Sequence, residues 1–197
     1  MNIRELKIAG AFEITPQIHA DERGSFLESY RFEPWLSARK TPMVWKQTNL
    51  SVSRAGVLRG IHYAMTPPGQ AKYVTVVAGS GLDFVVDLRV GSPSFGQWDV
   101  VRLDTSTRRS VFIEEGLGHA FFAYEDGTTL NYLVSEVFNP AVEFAIDPLD
   151  AEIGLELPVN ADELIVSPRD QESPTLNEAA AQGKLPSWSA HFAAAGA

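Results

Sequence analysis

The stretch AKYVTVVAGSGLDFVVDLRVGSPSFGQWDVVRL, residues 71–103, decides the fold class. It holds three short runs rich in β-branched and aromatic residues, Ala71 to Val77, Leu82 to Leu88 and Gln97 to Leu103. Gly-Ser-Gly and Gly-Ser-Pro turn chemistry separates them. Downstream the pattern continues through Arg109 to Ile113, His119 to Tyr124 and Thr129 to Ser135, punctuated by Asp-Thr-Ser, Glu-Glu-Gly and Glu-Asp-Gly. Strands about every ten residues with turns between them predict an all-β sandwich or barrel. No long segment of helical period alternates with them, which disfavours a βαβ fold. Helix signals stay at the edges, in Arg31 to Lys40 and in Pro174 to Gln182, the latter stopped by Gly183. The expectation is a single domain, 1–197. Its jelly-roll core spans about residues 20–150, and a C-terminal tail, about 151–197, folds back over it.

Composition narrows the function classes. With 45% hydrophobic residues among 197, the chain can bury a substantial core. The absence of cysteine excludes a disulfide framework, a thiolate metal site and a cysteine nucleophile, and suits a reducing cytoplasm. No apolar run approaches the ~18 residues of a membrane span, and Met-Asn-Ile-Arg-Glu-Leu-Lys lacks a signal-peptide core, so a soluble cytoplasmic protein without membrane contact is expected. A net charge of −9, from 16 Lys and Arg against 25 Asp and Glu, argues against nucleic acid as a partner. A phosphorylated metabolite still fits if the few cations converge.

Four histidines are candidates for chemistry. His62 sits in Leu58-Arg59-Gly60-Ile61-His62-Tyr63, before a Pro-Pro-Gly turn, and His119 enters the apolar run Ala120-Phe121. His19 precedes Asp21-Glu22-Arg23-Gly24, and His191 lies in an alanine-rich tail and reads as solvated. Singly, His62 and His119 are equally well read as hydrogen-bonded core histidines. A histidine-ligated metal needs three or four converging ligands, often two histidines two apart on one strand face. No His-x-His exists here, and position 60, which shares a face with His62, is Gly60. No metal and no cofactor is expected. General acid–base catalysis remains. Gln47 and Asn49, two apart, share a strand face. Arg59 and His62 flank a glycine that permits close approach. Lys72 opens a strand, and Tyr132 stands between Leu130 and Val134. Alone, Tyr132 reads as a half-buried strand aromatic and Lys72 as a solvated strand end. Their co-occurrence across successive strands points to a site.

Several segments together resemble the dTDP-4-dehydrorhamnose 3,5-epimerase family. They are Asp21-Glu22-Arg23-Gly24-Ser25-Phe26, Gln47-Thr48-Asn49, Gly56 to Tyr63, Lys72, Gly91 to Trp98, Glu115 to Phe121, Tyr132-Leu133-Val134 and Ser167-Pro168-Arg169-Asp170. They run in order over about residues 5–185. The resemblance implies a cupin-type jelly roll, usually a homodimer, acting on a dTDP-linked 4-keto sugar. It assigns His62 as the base removing the proton beside the ketone, Asp170 as its orienting carboxylate, Tyr132 as the acid on the opposite face, and Lys72 as the cation beside the enolate oxygen. Arg59, Arg169 and, from a partner subunit, Arg23 are implied to bind the diphosphate. Phe26, Glu28, Gln47, Asn49, His119 and Glu143 are implied as nucleotide and sugar contacts. The family's thymine-stacking aromatic, usually tyrosine, falls on Phe138, which keeps the ring face and loses the hydroxyl. Arg169 replaces a lysine and keeps the charge. The run Thr66 to Tyr73 is similar to members from antibiotic deoxysugar pathways. Two other readings remain: a ketoisomerase on a related nucleotide sugar, and a noncatalytic sugar-binding cupin.

Overall fold

The computed structural model describes residues 1–188; His191 lies outside the described residues. The elements in chain order are β1 (Asn2–Glu5), β2 (Ala11–Thr15), β3 (Ile18–Asp21), β4 (Gly24–Leu27), α1 (Phe32–Arg39), β5 (Gln47–Ser53), β6 (Val57–Ala64), β7 (Lys72–Ala78), β8 (Ser80–Asp87) and β9 (Trp98–Asp104). Then follow β10 (Ser110–Ile113), β11 (Leu117–Ala123), β12 (Thr128–Val134), β13 (Glu143–Ala145), β14 (Ile165–Val166), α2 (Pro168–Gln171) and α3 (Leu176–Ala181). The two strand-rich layers are a jelly roll. One antiparallel sheet runs β1-β2-β10-β7-β12-β5 and the other β13-β6-β11-β8-β9, with β14 paired to β6 and β3–β4 a separate hairpin.

The six strands read from residues 71–135 all form, with ends shifted by a few residues. The edge helices form as α1 and α3. Arg39 lies in the last turn of α1, and Lys40 closes it at φ +64°. Thr175 opens α3 through a capping box with Glu178. The sheet reaches further toward the N-terminus than residue 20, because β2 pairs with β10 and carries β1 on its outer edge.

Alternation places each strand's apolar set. Val74 and Val76 of β7, Val85 of β8, Phe121 of β11 and Leu130 of β12 meet between the sheets. On the outer face of the β6–β11–β8 sheet, Leu58, Ile61, Phe84 and Phe122 pack with Ile146 and with Ile153, Leu176, Ala179 and Leu185 from further along the chain. The other sheet's outer face carries Tyr73 and Phe112 against Trp35 of α1. Each fully buried large side chain contributes about 1.5–3 kcal/mol. At one end of the sandwich the inward row turns polar.

Candidate active site

Register puts that polar end together. In the first sheet Lys72 pairs with Val134, which pairs with Gln47; one row on, Val74, Tyr132 and Asn49 align. Lys72 and Tyr132 therefore share the inward face with Val74 and Leu130. In the second sheet Ala145, His62 and His119 align, and Glu143 pairs with Ala64 on the His62 face. A cavity of about 400 Å³ opens between these rows, walled by Gln47, Asn49, His62, Gln70, Lys72, Tyr132, Phe138, Glu143, Phe144 and Arg169.

Gly60 fixes how closely β6 approaches β11. Its φ is +120°, and a Cβ there would lie 2.5 Å from the His119 carbonyl oxygen. Only glycine accepts that approach without displacement of β11. The β11 ladder slips between His119 and Phe121, which keeps His62 and His119 directly opposed.

His62 Nε2 lies 2.7 Å from Asp170 Oδ1. Asp170 comes from the short helix α2, whose Ser167 cap accepts the Asp170 N–H. Burial opposes ionisation of this carboxyl. The His62 hydrogen bond and charge, Ser167 and the Gly60 N–H outweigh burial and hold its pKa below the usual carboxylate value. With Asp170 ionised, the bond requires a proton on Nε2, which leaves the Nδ1 lone pair as the basic atom.

Lys72 is 8% exposed. Burial lowers its pKa to about 8, with Glu143 and Asp83 opposing the fall. Burial also raises the Tyr132 phenol above its ordinary value; Arg59 opposes this and Glu143 adds to it. At neutral pH the cavity thus offers an ammonium and a protonated phenol beside the imidazole that Asp170 orients.

Arg59 lines an adjoining recess with His62 and Arg169, and its guanidinium bonds Ser53 Oγ and the Val52 carbonyl. Arg169 lines both spaces. Neither guanidinium forms an ion pair with a carboxylate of the described residues, an arrangement suited to a ligand anion.

Some expected residues lie elsewhere. His119 is next to His62 but off the cavity wall, its Nε2 2.8 Å from Asp83 Oδ2. Arg23, Phe26 and Glu28 belong to the β3–β4 hairpin and the residue after it, and do not reach this cavity. Arg23 pairs with Asp21, Glu28 faces Arg31, and Phe26 is 67% exposed. Sequence reading missed Gln70 and Phe144 on the wall, and Asp83 beneath it. Asp83 carried a signal, an acidic residue inside the apolar run Leu82 to Val86. Gln70, in a turn, carried none. Among the described residues no three His, Asp or Glu side chains gather as a metal-ligand set.

Known proteins resemble this chain in sequence and in fold. A family model described as dTDP-4-dehydrorhamnose 3,5-epimerase matches residues 5–178. A dTDP-4-dehydrorhamnose 3,5-epimerase of Mycolicibacterium smegmatis is 50% identical over 188 residues, covering 95% of this chain and 92% of that protein. The crystal structure of NovW, a 4-keto-6-deoxy sugar epimerase from the novobiocin biosynthetic gene cluster of Streptomyces spheroides, superposes with TM-score 0.93 at 46% identity, covering 100% of this chain and 96% of that one. That of ChmJ, a 3'-monoepimerase from Streptomyces bikiniensis in complex with dTDP-quinovose, gives TM-score 0.91 at 43% identity, covering 96% of each.

Proposed function

The chain belongs to the dTDP-4-dehydrorhamnose 3,5-epimerase family, a family of isomerases, and from that premise we propose that it inverts C3, C5 or both of a dTDP-linked 4-keto-6-deoxyhexose. His62 Nδ1 takes the proton from the carbon beside the ketone. The C–H electron pair moves into the ring, and the carbonyl oxygen becomes an enolate oxygen. Lys72 donates to that oxygen, where a lost donor costs about 3–4 kcal/mol. Asp170 stabilises the imidazolium as it forms. Tyr132 then protonates the same carbon from the other ring face as the carbonyl re-forms. Tyr132 regains a proton from solvent, and His62 releases one to it.

Arg59 and Arg169 take the diphosphate, and Phe138 offers its 55% exposed ring face to the thymine. The chain acts as a homodimer in which the hairpin's Arg23, Phe26 and Glu28 complete the second protomer's site. The exposed Phe26, on a hairpin outside both main sheets, supports this assembly. No described helix is long and apolar enough to cross a membrane, and a cytoplasmic location suits a chain without cysteine.

The observation that carries the reading is that His62, held by Asp170 at 2.7 Å, lines the same cavity as Lys72 and Tyr132. The test is incubation with dTDP-4-keto-6-deoxyglucose in deuterated water, followed by proton NMR. Deuterium at C3, C5 or both, with new signals of the inverted sugar, is expected. Carbonyl migration along the ring instead would make the protein a ketoisomerase, and binding without exchange would make it a sugar-binding module.

A further inference from the structure

Gln70 is the one wall residue whose amide ties together both ends of the segment carrying Phe138. Its Nε2 donates to the Glu136 carbonyl at 3.1 Å and to Glu143 Oε1 at 3.2 Å. These residues bracket the connection between β12 and β13. The same Oε1 also accepts the Asn139 N–H at 3.0 Å. Inside the loop, the Asn139 side chain accepts from Ala141 N and its carbonyl from the Val142 and Glu143 N–H groups. On the opposite side Gln47 Oε1 accepts the Phe138 N–H at 3.4 Å, and Lys46 pairs with Glu136. Gln70 itself is placed by β7, since Ala71 exchanges bonds with Ser135 through its N–H to the Ser135 hydroxyl and its carbonyl to the Ser135 N–H.

We infer that Gln70 is a positioning residue that clamps the 136–143 loop, holding the Phe138 ring and the second oxygen of Glu143 toward the bound nucleotide sugar. A primary amide has two N–H donors, and here both are spent on the two ends of one loop. Oε1 of Glu143 is saturated by protein donors, so the carboxylate cannot rotate freely. Oε2 forms no hydrogen bond with the described residues, and it sits on the cavity wall as an acceptor for a ligand hydroxyl. An exposed aromatic ring gives useful stacking only if its backbone is already fixed, because ordering a loop on binding subtracts from affinity. This inference rests on the nucleotide-sugar reading above.

The test compares wild type with Gln70→Met, which keeps length and removes both donors, and Gln70→Glu, which turns an acceptor toward the Glu136 carbonyl and the Glu143 carboxylate. Titration calorimetry with dTDP, steady-state kinetics with the 4-keto sugar, and thermal unfolding are read together. In Gln70→Met, dTDP binding weakens about tenfold, the scale of one lost hydrogen bond to a charged group. KM follows it, while kcat stays within about threefold and the unfolding temperature is nearly unchanged. Gln70→Glu weakens binding further. Unchanged dTDP affinity in both variants, or a fall confined to kcat, overturns the clamp. So does a loss of unfolding temperature that accounts for the lost binding. A wild-type protein that fails to bind dTDP overturns the functional reading, and the clamp with it.

Discussion

Replacing Asp170 by Asn removes one charge while keeping the side chain's shape, and so isolates what the carboxylate does for His62. The N···O separation is 2.7 Å, which puts the charge centres about 4 Å apart. At that distance an ion pair contributes about 1 kcal/mol in water and about 4 kcal/mol at an effective dielectric constant near 20. Asp170's side chain is 4% exposed but His62's is 39% exposed, so solvent screens the pair from one side. An intermediate value of about 2–3 kcal/mol then applies, or a fall of about 30- to 160-fold in kcat/KM. The fall is larger if the Asn amide turns its N–H toward Nε2, because Nδ1 must then carry the proton and can no longer act as the base. The assay is deuterium wash-in at the carbon beside the ketone, with dTDP affinity measured in parallel. A rate loss under about threefold, or an equal loss of dTDP affinity, would refute the assigned role. Unfolding must be followed too. The folded-state pKa of Asp170 lies below its ordinary value, so its ionisation favours the fold above the unfolded carboxyl's pKa. That contribution fades as pH falls through the folded pKa. Asp170→Asn should abolish this part of the acid sensitivity, and the variants are best compared near neutral pH.

Tyr132→Phe should cut formation of the inverted sugar by at least about 100-fold while solvent deuterium still enters at the carbon attacked by His62, whose ring is open to solvent. Full inversion in this variant would remove Tyr132 from the mechanism. Lys72→Met should act in opposite directions on activity and stability. Turnover falls by about 10²–10³ with the lost donor. Yet the fold gains on the order of 3 kcal/mol at pH 7, because the native state no longer buries an ammonium whose pKa is lowered from 10.5 to about 8. Between those pH values the unfolded wild type binds more protons than the native state, so its stability rises with pH there, and the variant lacks that slope. Wild-type activity should decline above pH about 8 as the ammonium is lost. A lower unfolding temperature for Lys72→Met at pH 7 would contradict the burial argument.

How much was legible depended on whether local alternation survived tertiary packing. From β7 to β12, one face meets the opposite sheet and turns punctuate each strand, so period and boundaries were readable. The β6 strand was not singled out as one. Ile61 and Tyr63 on its outer face are buried under the tail while Arg59 is exposed, and Gly60 interrupts the run, so no simple pattern remains. β13 and β14, of three and two residues, exist only because β6 offers them an edge. α2 has four residues, too few for any periodicity, and Asp170 entered the expected site only through the family resemblance. The Gln47 and Asn49 face was readable from spacing alone, and the two side chains meet at 2.6 Å. His119 was expected among the substrate contacts; the register that opposes it to His62 also turns it onto Asp83.

Buried charge is treated differently in two neighbouring parts of the molecule, and the contrast separates function from stability. Asp87 is fully buried and accepts two side-chain bonds from Arg89, at 2.8 Å each, together with the Ser92 and Ser94 hydroxyls. Glu114 accepts from Arg39 Nε and Nη2, at 2.8 and 2.6 Å. These networks satisfy the condition under which buried ions are tolerated. Around the cavity the rule is broken repeatedly. Lys72 is buried with no carboxylate of the described residues in salt-bridge contact, and Asp83 Oδ1 is buried without a hydrogen-bond partner. Each such departure disfavours the fold by an amount of order 1–3 kcal/mol. Where Asp87 and Glu114 are satisfied within the protein, Lys72 and Asp83 Oδ1 are left unmet, an arrangement suited to a polar ligand that supplies the missing partners. Binding should therefore stabilise the protein more than its contact area suggests. In thermal unfolding at matched concentration, dTDP-4-keto-6-deoxyglucose should raise the midpoint more than dTDP alone if the proposed contact between the sugar carbonyl and Lys72 forms. Equal shifts for the two ligands would mean that the buried ammonium has no partner in the substrate.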